Sequence, residues 1–105
     1  MDELNTSKIT KDLLKKFEKL KKEMSDDDLK LFKETDADGL IDFHFSLGMY
    51  IRNEWGLWGD SDLNEYFCQK RMMHPDDMSG ILLEMFHQYL HGKEINLDED
   101  LLDYL

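Results

Sequence analysis

Apolar residues recur along most of the chain at steps of three and four, the spacing of helices with one buried face. Ile9, Leu13, Phe17, Leu20 and Met24, with Leu14 beside them, predict a first helix from a cap at Ser7 or Thr10 to about Met24, with lysines on its other face. Ser25 reads as the cap of a second helix. Asp26, Asp27 and Asp28 fill its first turn, where the helix dipole favours carboxylates. Leu29, Leu31 and Phe32 give that helix its apolar side, which ends near Glu34. Thr35-Asp36-Ala37-Asp38-Gly39 then breaks the pattern.

Leu40, His44, Leu47 and Ile51, with Ile41, Phe45 and Gly48 beside them, predict a third helix over about Gly39–Asn53. Gly48 inside it costs about 1 kcal/mol relative to alanine, which a close helix crossing would explain. Ser61 caps a fourth helix, about Asp62–Met72, with Leu63, Tyr66 and Phe67 facing inward. His74-Pro75-Asp76-Asp77 opens a fifth, with proline at the first helical position and acids in the first turn. Met78, Ile81, Leu82, Met85, Phe86, Tyr89 and Leu90 follow helical spacing until Gly92 ends it. Ile95 follows, and Leu101, Leu102, Tyr104 and Leu105 predict a last short helix in the acidic tail Leu97–Leu105. The expected fold is all-α, a compact bundle of five to six short helices, with a disordered N-terminus over 1–6 and one domain over 7–105.

One corner departs from ordinary helix ends. Trp55-Gly56-Leu57-Trp58-Gly59-Asp60 interleaves large apolar side chains with glycines. Both tryptophans are expected to be buried, because the glycines let other backbone approach closely.

The length of 105 residues and the 41% apolar content fit one small core. No run approaches the roughly 20 apolar residues of a membrane span, and the first residues lack the apolar centre of a signal peptide. A single cysteine, Cys68, leaves no internal disulfide framework. A cytoplasmic location is expected. Residues 1–24 hold seven lysines and five acids, a balance of +2, so the total of −11 leaves −13 for the rest. Such a field repels nucleic acid and anionic membranes and attracts basic proteins.

Four constellations bear on chemistry. From Glu34 to Phe45 the spacing mimics a calcium loop, with oxygens at Glu34, Asp36, Asp38 and Asp42 and glycine at Gly39. The loop needs a bidentate glutamate where Phe45 stands, so an acidic turn is the better reading. His87 and His91 lie one helical turn apart, with Glu84 on the flank of His87, but they border the apolar stripe and read as boundary residues. Cys68 has no base nearby in sequence, Ser46 and Ser79 are mid-helix or first-turn residues, and no phosphate loop or nucleophile elbow occurs. Arg52 and Asn53 stand beside Trp55 and Trp58 in an acidic setting. Arg52 is expected to pair with Asp76 or Asp77 and lock the turn after the third helix onto the start of the fifth. The alternative is a recognition surface of Arg52, Trp55 and Trp58.

The stretches Phe43-His44-x-x-Leu47-Gly48-Met49-x-Ile51-Arg52-Asn53-x-Trp55-Gly56-Leu57-Trp58 and His74-Pro75-Asp76-Asp77-Met78-Ser79-x-Ile81-Leu82-Leu83 resemble a family of small bacterial proteins without assigned biochemistry. Phe86-His87 and Leu90-His91-Gly92-Lys93 continue the likeness, which covers about residues 29–97. Glu54 stands where asparagine is common in that family. Proteins similar to it accompany toxin loci, so the resemblance implies an immunity or inhibitor role.

The functional expectation is a non-enzymatic, acidic protein-binding module that covers the cationic site of a basic effector such as a toxin domain. Candidate contacts are Asp26, Asp27, Asp28, Asp36, Asp38, Glu94, Asp98, Glu99 and Asp100. No catalytic residue, cofactor or metal is expected, nor a nucleic-acid or membrane partner. One alternative is a small enzyme or ligand-binding protein with a pocket at His44, Arg52, Trp55, Trp58 and His74. Another is a phage-encoded blocker of host defence, which uses the same physics.

Overall fold

The computed structural model describes residues 6–59, 61–70, 74–95 and 97. Five α-helices, α1 (Thr6–Glu23), α2 (Asp26–Glu34), α3 (Leu47–Glu54), α4 (Asp62–Lys70) and α5 (Pro75–Leu90), and a 3-10 helix, Ala37–Phe43, make an all-α bundle with no strand among the described residues. None of the described helices is long and apolar enough to cross a membrane.

The fifth helix is the beam of this bundle, packing against α2, the 3-10 helix, α3 and α4. Its buried surface is wider than the expected stripe, since Ser79 and Leu83 join Met78, Ile81, Leu82, Met85 and Phe86. Phe86 joins a row of aromatic rings through the core. Phe17 of α1 lies 5.3 Å from it and 5.9 Å from Trp55, and Phe32 of α2 lies 5.4 Å from it and 4.9 Å from Phe43. Ring pairs at these separations add to the gain from burial alone. On α4, Leu63, Tyr66 and Phe67 are buried, as their spacing predicts.

Several expectations need correction. Thr6 already belongs to α1, so Ser7 and Thr10 lie within the helix rather than capping it. On α2 only Phe32 is fully buried; Leu31 is exposed, because the inward face of so short a helix runs through Leu29 and Phe32. The expected third helix is two elements. Asp36 accepts the Gly39 amide through Oδ1 at 3.1 Å and starts the 3-10 helix, and residues 44–46 form a turn before α3. A 3-10 helix repeats every three residues. It turns Leu40 and Phe43 inward and leaves Ile41 and, after the turn, Phe45 exposed.

The glycine-aromatic corner is a helix stop. Gly56 adopts φ 69° after the C-cap Trp55, and the Leu57 amide donates to the Arg52 carbonyl at 3.1 Å. This is a Schellman motif, with Leu57 buried behind it. Ser61 closes the loop: its hydroxyl donates to the Gly56 carbonyl at 2.8 Å and accepts the Asn64 amide at 3.0 Å, capping α4. The two tryptophans part here. Trp55 is buried against Phe17, whereas Trp58 is exposed, contrary to expectation. Gly59 has no atom near a virtual Cβ, so no backbone packs there to cover Trp58.

Two phenols tie α1 to the bundle. Tyr50 donates to Glu23 at 2.6 Å, and Tyr89 donates to Glu18. The bond to Glu23 pushes the Tyr50 pKa up to about 12, and burial followed by the bond to Glu18 does the same to Tyr89. A phenol free in the unfolded chain ionises near pH 10. The folded state therefore holds these protons more tightly, and their stabilisation is complete below pH 10 and lost as pH rises towards 12. Tyrosinate absorbance during alkaline titration is expected to show a late step that shrinks in Tyr50→Phe and Tyr89→Phe. A single step near pH 10 for every tyrosine would contradict the two bridges.

Candidate functional site

Arg52 lies near the end of α3 and is only 5% exposed. Its guanidinium is shared among three neighbours. Nη1 donates to Ser79 Oγ at 2.8 Å, Nη2 donates to the His44 carbonyl at 3.2 Å, and Nε lies 3.4 Å from Asp76 Oδ1. Ser79 passes its own proton to the Asp76 carbonyl at 3.0 Å. Among the described residues no buried side-chain nitrogen or oxygen lacks a partner. Asp76, not the exposed Asp77, is thus the carboxylate that joins α3 to the start of α5.

Gly48 makes this burial possible. A Cβ there would sit 3.2 Å from Arg52 Nη1, a tight approach, and at ordinary contact distance, 3.7 Å, from Leu83 Cδ1, so the missing side chain leaves room for the guanidinium. Ser79 was not expected in this role. Its signal in the sequence is a hydroxyl on the buried side of an otherwise apolar helix, in its first turns.

His74 caps α5. Its Nδ1 accepts the Asp76 amide at 2.9 Å. An accepting Nδ1 carries no proton, so its 3.6 Å approach to Asp76 Oδ2 is not an ion pair. His44 Nε2 approaches Asp76 Oδ1 from the other side at 3.9 Å. Each of these histidines touches an exposed aromatic: the His44 ring lies 5.1 Å from Phe45, and the His74 ring lies 5.7 Å from Trp58. Trp58 also donates its indole proton to Asn53 Oδ1 at 3.2 Å. The structure therefore gathers His44, Arg52, His74, Asp76 and Trp58, with Asn53 at the edge. Trp55 lies elsewhere, in the core, on the wall of a cavity of about 150 Å³ shared with Ile9, Leu13 and Leu63.

The candidate acidic contacts among the described residues fall at several places in the chain. Asp26, Asp27 and Asp28 lie exposed at the start of α2, and Asp36 and Asp38 lie beyond its end. A nine-residue helix separates the two groups by about 13 Å. Glu94 is exposed after α5, and Asp98, Glu99 and Asp100 lie outside the described residues. Asp36 is engaged as a cap. Among the described residues no group of three or more His, Cys, Asp or Glu side chains could hold a metal ion.

His87 and His91 have a visible structural task. His87 Nε2 meets the Thr35 carbonyl at 2.6 Å and His91 Nε2 meets the Lys33 carbonyl at 2.8 Å, so each donates a hydrogen bond to the C-terminal end of α2. They clip α2 to α5.

This span coincides with a family match. A family model described as a domain of unknown function, DUF6794, matches residues 9–90. The chain belongs to this family. No curated protein and no solved structure matches it. The DUF6794 span takes in Gly48, Arg52, Asp76 and Ser79 together, so the buried guanidinium lies inside the family domain.

Loss of a buried ion's partners is costly because the remaining groups stay desolvated. Arg52→Ala should lower the unfolding free energy by about 2–4 kcal/mol in urea denaturation. Arg52→Lys should recover part of it, since an ammonium lacks the planar fork. Asp77→Asn should cost only the first-turn dipole contribution, about 0.3–1 kcal/mol. Equal effects for the Arg52 and Asp77 changes would contradict this arrangement.

Proposed function

We propose that this DUF6794 protein is a non-enzymatic binding module that inhibits a basic protein, in the manner of an immunity protein covering the cationic site of a toxin. The observation that carries the reading is the distribution of exposed charge. Residues 34–69 contain eight carboxylates and a single lysine or arginine, Arg52, which is buried. The stretch itself supplies no exposed cation; lysines of α1 and α2 reach only part of it, with Lys30 and Lys33 beside Glu34 and Asp36 and Lys16 beside Asp62, and a surface rich in carboxylates steers cationic proteins towards it.

The placement of the reactive side chains favours binding over catalysis. Arg52 is used by Asp76, Ser79 and a carbonyl; His74 caps a helix; His87 and His91 hold α2. The alternative of a ligand pocket at His44, Arg52, Trp55, Trp58 and His74 loses Trp55 to the core.

Capture of partners from the source cell, with mass spectrometry of the retained proteins, tests this. One stoichiometric basic protein is expected, retained at low salt and released at high salt. Its association rate should fall about tenfold or more as salt rises to physiological strength, because screening shortens the reach of the field. An association rate indifferent to salt would contradict the electrostatic reading.

A further inference from the structure

Four large apolar side chains lie open to solvent along the 3-10 helix, α3 and the corner after it. Ile41 is 74% exposed, Phe45 78%, Met49 47% and Trp58 61%. Scattered surface apolar residues need no explanation, but a contiguous group marks a contact surface. Met49 and Asn53 lie one turn apart on α3, and Asn53 holds the Trp58 indole. Phe45 and Trp58 also flank one carboxylate, through His44 and His74 on either side of Asp76.

Charge identifies the occupant. All four residues fall within 34–69, where Arg52 is the one lysine or arginine and is buried. Asp38, Asp42 and Glu54 of the same elements are exposed, and so are Asp76 and Asp77 behind them. A second copy carries the same field and a total charge of −11, which opposes self-association through this face. Anionic lipid is repelled for the same reason. What fits is an apolar ridge flanked by cations.

We infer that the face carrying Ile41, Phe45, Met49 and Trp58 is the docking site for a cationic amphipathic helix of a partner protein. Apolar side chains of that helix pack on Phe45, Met49 and Trp58. Its lysines and arginines meet Asp42, Glu54 and the exposed side of Asp76. An amphipathic helix lays its apolar face on such a surface while its charged flanks reach the rim. This rests on the reading of the protein as a binder of basic partners, and it places the contact away from the start of α2.

The test is nuclear magnetic resonance of the isotope-labelled full chain titrated with a synthetic helical peptide built only of leucine and lysine at amphipathic spacing. Shift changes are expected at Ile41–Trp58 and at the Trp58 indole proton, with none from the matching leucine–glutamate peptide. Phe45→Ser and Trp58→Ser, both at exposed positions and checked by circular dichroism, should each weaken binding about tenfold. Asp26→Asn with Asp27→Asn and Asp28→Asn should change it little. Changes confined to Asp26–Asp28 would overturn this site and leave the basic-partner reading standing. An absence of binding anywhere would overturn both. Shifts at Phe45 and Trp58 that depend on protein concentration without peptide would overturn it in favour of a second copy.

Discussion

A guanidinium that is almost wholly withdrawn from water governs the arrangement of this protein. Burying a charge is costly unless acceptors surround it. Arg52 meets that demand from three places in the chain: the His44 carbonyl after the 3-10 helix, the Asp76 carboxylate in the first turn of α5, and the Ser79 hydroxyl one turn further on. The missing side chain at Gly48 leaves the space. Because all three acceptors must converge, the turn at residues 44–46 and the start of α5 hold fixed positions relative to α3. The Schellman stop at Gly56 takes its bond from the Arg52 carbonyl, so the same residue also sets where α3 ends.

This internal use of polar chemistry shapes the exterior. His44 and His74 stand on opposite sides of Asp76, and each carries an exposed aromatic on its outer side. The buried cation thereby indirectly positions Phe45 and Trp58 at the surface. On the far side of the bundle, His87 and His91 do similar work for α2, donating to carbonyls that a helix end leaves unmet. Among the described residues of 34–69, the exposed side chains include Asp38, Asp42 and Glu54 beside Ile41, Phe45, Met49 and Trp58, and Arg52 is withdrawn.

Much of this was legible in sequence where one physical demand acted alone. The order of the helices followed from apolar spacing. The start of α5 followed from Pro75 with Asp76 and Asp77 after it, and the pairing of Arg52 with that turn followed from a lone cation among acids. Where two demands competed, the reading failed. Leu40, Leu47 and Ile51 keep helical spacing, yet the Asp36 cap and the inward pair Leu40 and Phe43 favour a 3-10 turn, so Ile41 and Phe45 swing outward. The corner glycines promised a crowded site, but only Gly56 meets close neighbours, and Trp58 remains open. Nine carboxylates scattered along the chain gave no means of telling which share a surface, because that depends on helix directions rather than spacing.

Arg52 and Asp76 hold the 3-10 helix and α3 against α5. Residue-resolved hydrogen exchange on Asp76→Asn probes this, since that change removes the charge while preserving shape. A selective loss of protection is expected over Leu40–Trp55, with the amides of Leu13–Leu20 in α1 protected as before. Equal loss across the helices, or none over Leu40–Trp55, would contradict it.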